Sequence, residues 1–130
     1  MRAINQKATA TFNKLIEKLD DSGHIKIGEP GQAFMQVVVE KLRTYDVGTE
    51  YSIAHYFVQN GDLCQDPEMT FLKHNSGKIY PMMFQQAIPP VYQESMFREG
   101  IAWKVCPPLQ KDHAIFAGQW FENIKHQQEL

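Results

Sequence analysis

Residues 51–72 read YSIAHYFVQNGDLCQDPEMTFL, and this stretch decides the fold. Tyr51 to Val58 and Met69 to Leu72 are rich in aromatic and β-branched residues, so both flanks are strand-like. Between them lies Asn60-Gly61, a dipeptide that tolerates the positive φ angles of a tight type I′ turn. The unit is therefore a hairpin with a polar tip. Near that tip the sequence gathers His55, Gln59, Asn60, Asp62, Cys64, Asp66 and Glu68. Asp66 precedes Pro67, which favours an extended backbone at Asp66.

The pattern continues outward from the hairpin. Phe34 to Leu42 contains three consecutive valines and reads as a strand, with Asp46 to Gly48 as the following turn. Strands are expected at about 50–58, 68–74 and 78–86 from the same propensities. Asn75-Ser76-Gly77 supplies the second hairpin turn. Pro81 cannot donate to a ladder, which directs its strand to an edge or a bulge. Residues 24–33 hold Gly28, Pro30 and Gly31 and read as a short strand or turn, then a loop. After Pro89-Pro90 the chain to Val105 reads as an irregular strand and loop beside the sheet.

Two amphipathic helices bracket the strands. Ile4, Ala8, Phe12, Leu15, Ile16 and Leu19 recur at helical spacing, with Asp20 to Gly23 as the stop. Phe116, Trp120 and Ile124 form a stripe on a second helix, expected from about Gln110 to Gln127. The expectation is one α+β domain over residues 1–130. A mainly antiparallel, meandering sheet of four to five strands would be flanked by an N-terminal and a C-terminal helix. Helices on one face would leave the other face to solvent or to a partner.

Composition narrows the function. The formal net charge is -2 and no segment is densely basic, which disfavours binding to phosphate backbones. No stretch reaches the roughly 18 to 20 apolar residues that span a bilayer, and no apolar leader opens the chain. A cytoplasmic location follows, and Cys64 and Cys106 are expected as free thiols, Cys106 at least partly buried.

The hairpin HYFVQNGDLCQDPEMTF and the C-terminal FAGQWFENIKHQQ resemble a family of uncharacterised bacterial domains, the DUF6908-type domain. The resemblance is carried by His55-Tyr56, Gln59 to Asp62, Asp66 to Met69 and Tyr92 to Glu94, within residues 34 to 128. It implies a small accessory protein of plasmids, phages or integrative elements. It implies no known activity, so no catalytic residue is carried over.

Three readings compete for the hairpin. As a structural turn, Asn60-Gly61, Asp62 and Asp66 would lock a nine-residue loop into one shape. As a binding loop, His55, Gln59, Asn60, Asp62, Asp66 and Glu68, with Tyr92, would contact a partner protein. As a metal site, His55, Asp62, Asp66 and Glu68 would hold an ion whose bound water hydrolyses a substrate. That alternative needs Glu68 to approach His55 on one sheet face. The sequence lacks the spacing of known zinc motifs, and Cys64 between carboxylates is poorly placed to become a thiolate. The favoured expectation is a cofactor-free, non-enzymatic accessory protein that binds protein. Homodimerisation through a sheet edge is a further expectation.

Overall fold

The computed structural model describes residues 1–29 and 34–130. The loop expected at Pro30 and Gly31 lies outside the described residues. Among the described residues ten elements follow in order. They are α1 (Gln6–Ile16), β1 (His24–Ile27), β2 (Val37–Tyr45), β3 (Gly48–Gln59), β4 (Asp62–His74), β5 (Ile79–Gln86), β6 (Val91–Glu94), β7 (Met96–Glu99), β8 (Ala102–Val105) and α2 (Pro107–Gln127). Strands β1 to β6 form one antiparallel sheet in sequence order, and β7 pairs with β8. The fold is the expected α+β meander with two flanking helices. It has six strands plus a two-stranded hairpin, where four to five strands were expected.

Local chemistry sets the boundaries. Asn5 caps α1, its side-chain oxygen accepting from the Ala8 amide at 2.8 Å. Pro107 opens α2, where a missing N–H costs nothing. Asn60 and Gly61 both have positive φ, 52° and 83°, as a type I′ turn requires. Pro81 sits beside a register shift between Thr70 and Phe71, so it is accommodated at a bulge and not on an edge strand. Residues 91–105 form β6, β7 and β8, where an irregular strand and loop were expected.

Both helices pack on one face of the sheet. Phe12, Leu15 and Ile16 of α1 meet Ala117, Phe121 and Ile124 of α2 above Val37, Val39, Ile53, Met69 and Phe71. The Phe12 ring stands edge-on to Tyr51, Phe71 and Phe121. A smaller cluster lies on the opposite face, where Leu72, Tyr80, Met82 and Met96 pack with Trp103 under the β7–β8 hairpin. The expected α2 stripe is only partly buried: Trp120 and Ile124 are inside, but Phe116 is exposed. Its place is taken by Gln110, His113, Ala114 and Ala117.

Candidate functional site

The registers divide the sheet into two unlike faces. Val39, Ile53, Met69, Phe84 and Gln93 lie side by side facing the helices. Glu40, Ser52, Thr70, Met83 and Glu94 form one row on the opposite face, and Val38, Ala54, Glu68, Gln85 and Tyr92 form the next. The β7–β8 hairpin roofs one end of this second face. Arg98 pins the hairpin there, its guanidinium 3.6 Å from Asp46 and over the rings of Tyr45 and Trp103. Between hairpin and sheet lies an open groove of about 780 Å³. Thr70 and Met83 line it beside Tyr92, Phe97, Glu50 and Glu94.

The groove carboxylates are held by phenols. Tyr45 donates to Glu50 at 3.1 Å, and Tyr92 donates to Glu94 at 2.8 Å. The Tyr92 phenol is pushed above its usual range, first by that bond to Glu94, then by burial and by the charges of Glu94, Glu50 and Glu68. Glu68 is fixed by Ser52 at 2.6 Å and by the Gln85 amide. Half-buried Tyr56 stands nearby, its phenol raised by burial and then by the charges of Glu68 and Glu40.

The residues expected at the candidate site separate into four places. Gln59, Asn60 and Asp62 sit at the exposed tip, which is a two-residue turn and not a nine-residue loop, because β3 and β4 pair up to Gln59 and Asp62. Asp66 is exposed further down the arm. Glu68 and Tyr92 lie on the open face, joined through Gln85. His55 lies on the other face, buried against Trp120, whose indole N–H donates to His55 Nδ1 at 3.4 Å.

His55 and Glu68 therefore do not approach each other. Glu68 pairs with Ala54, the residue before His55 in β3, and successive residues of a strand point to opposite faces of the sheet. The ligand set His55, Asp62, Asp66 and Glu68 is not brought together. Among the described residues no group of three or more His, Cys, Asp or Glu is placed to hold a metal ion. At 5 % exposure His55 also cannot contact a partner directly. Burial holds its pKa below the ordinary value, with the Asp66 charge opposing.

Sequence reasoning missed one polar assembly. His113 of α2 bridges Ser95 Oγ at 2.9 Å and Gln93 Oε1 at 3.0 Å, under the stacked ring of Phe84. A serine beside a histidine can be a nucleophile. Here Ser95 is wholly buried and its hydroxyl also faces the Pro81 carbonyl at 3.3 Å, so no substrate carbonyl can reach it. The assembly ties α2 to the strand edge. A histidine three residues from Gln110 was its only trace in the sequence. Cys64 and Cys106 are free, but Cys106 is exposed ahead of α2, contrary to the expected burial, beside the exposed first residues Pro107 and Pro108 of that helix.

Among the described residues no helix is long and apolar enough to cross a membrane. In comparison with known proteins, residues 7–130 match the model of the Domain of unknown function (DUF6908). No curated protein and no solved structure matches the chain.

Proposed function

The chain belongs to the DUF6908 family of domains, and from that premise we propose that it is a non-enzymatic protein-binding module, an accessory protein of a mobile genetic element. The binding surface is the open sheet face. The mobile-element part rests on the resemblance of the hairpin and C-terminal segments described above. The binding part rests on one observation: an open groove in which Met83 and Phe97 lie beside two carboxylates, Glu50 and Glu94, that make no ion pair among the described residues.

Met83 and Phe97 are apolar contacts of the kind that adapt to a partner, and Tyr92 is 62 % exposed. The helix-covered face offers no comparable surface, since its apolar side chains form the core. The edges of the sheet are less suited, because β1 and β6 have four residues each and short edge strands limit strand addition.

The test is site-specific photo-crosslinking in the native host. A photoreactive side chain replaces Met83 or Tyr92 on the open face, or Ile115 on the solvent side of α2. One protein captured at Met83 and Tyr92, and reproduced with that protein purified, supports the reading. Capture at Ile115 alone, or at no position, sinks it.

A further inference from the structure

We infer that the open face receives an extended, lysine- or arginine-bearing segment of a partner protein; this deepens the binding reading above and rests on it. Glu40, Glu50, Glu68 and Glu94 stand on this face, on β2, β3, β4 and β6. They are spread and not clustered. With strands about 4.8 Å apart and residues rising about 3.4 Å, Glu68 and Glu94 lie about 12 Å apart at their backbones, and Glu40 and Glu94 about 19 Å. No single ion bridges such gaps. An extended peptide projects side chains on one face about every 6.8 Å, so cations four residues apart match the shorter separation closely.

Charge selects the occupant. Among the described residues Glu50, Glu68 and Glu94 have no lysine or arginine partner, and the Arg98 charge is already committed to Asp46. Lys26 and Arg43 are the remaining cations lining the grooves of this face. Two copies stacked through this face would set carboxylate against carboxylate, and a phosphate backbone would be repelled. A basic chain gains on both counts. Its aliphatic stems can lie on Met83 and on the Tyr92 ring, which also faces a cation favourably, while its charged ends reach Glu50 and Glu94.

The probe is a nine-residue peptide with lysine at its first, fifth and ninth positions among threonine and valine. It is titrated into the isotope-labelled full chain and followed by amide chemical shifts. Shifts should appear at Thr70, Met83 and Tyr92, and salt should weaken binding. The E50Q/E94Q double variant should lose about tenfold in affinity. Glu94→Gln alone, at an exposed position, should lose a smaller factor with its melting temperature kept. Equal binding of the matched glutamate peptide, shifts confined to the helices, or unchanged affinity of E50Q/E94Q overturns the inference. A partner crosslinked at Tyr92 through a segment without lysine or arginine also overturns it, and leaves the binding reading standing. Absence of any partner at the open face removes both.

Discussion

Replacing Phe12 by alanine tests the helix-side core at its centre. The Phe12 ring is fully buried and stands 5.8, 5.5 and 6.2 Å from the rings of Tyr51, Phe71 and Phe121. It thus joins α1 to β3, β4 and α2 at once. Phe→Ala in a core typically costs about 3 to 5 kcal/mol. Three edge-on aromatic contacts, each about 0.5 to 1.5 kcal/mol, place this site in the upper half of that range, near 4 kcal/mol. A domain of this size holds about 5 to 15 kcal/mol in total. With a urea slope of about 2 kcal/mol/M, the midpoint should fall by about 2 M. Phe12→Leu keeps most of the volume and should lose less than about half as much. The assay is equilibrium urea unfolding, followed by fluorescence of Trp120, which stacks on Phe121 at 5.5 Å, with circular dichroism as the second probe. A midpoint drop below about 0.5 M at unchanged slope would refute the placement of Phe12 at the junction.

Two buried histidines and two glycines supply further tests. His55 and His113 both titrate below the ordinary histidine value, chiefly through burial. The unfolded chain therefore takes up protons first: stability is full above about pH 6.5 and declines as pH falls below it, levelling only below the folded-state values. Urea midpoints measured from neutral to mildly acidic pH should show that decline, and His55→Phe should flatten part of it; a midpoint that rises on acidification contradicts the burial. Gly48→Ala places a Cβ 2.2 Å from the Lys73 carbonyl oxygen, so β3 and β4 must separate locally; a loss of about 2 to 3 kcal/mol in thermal or urea unfolding is expected. Gly61→Ala meets no neighbour but must adopt φ +83°, so it should cost only about 1 kcal/mol and leave amide shifts at Thr70 and Met83 unchanged.

The hairpins and helices were legible because their signals are local. Asn60-Gly61 and Asn75 to Gly77 fix two turns by φ alone, and the spacing of Ile4, Ala8, Phe12 and Leu15 fixes the face of α1. The length of the β3–β4 arm was not legible. Asp62 has poor strand propensity, yet Asp62 to Gln65 are held extended by pairing across the turn with Gln59 to Tyr56, and Asp66 and Pro67 fall in the bulge that follows. The register was hidden as well. A bulge between Ala54 and Tyr56 changes which residues oppose one another, and no propensity reports it. For the same reason the sequence set His55 beside Glu68, whereas tertiary pairing sends them to opposite faces. Gln110 and His113 are polar side chains at buried positions of α2, which hydrophobic periodicity does not mark. They are buried because Gln110 donates to the Pro81 carbonyl at 3.0 Å and accepts from the Arg2 amide at 2.7 Å, while His113 meets Ser95.

The placement of α2 has a bearing on how the chain is made. The strands β1 to β8 precede it, yet it supplies Ala117, Trp120, Phe121 and Ile124 to the face that the sheet must hide. During translation the meander can zip from neighbour to neighbour as each strand leaves the ribosome, because every partner in it is adjacent in sequence. Its oily side nevertheless stays half uncovered until the residues after Pro107 emerge, a wait of seconds at about 5 to 20 residues per second. A nascent chain stalled inside β8 would be a nearly finished sheet without its cover, and a natural client for a chaperone.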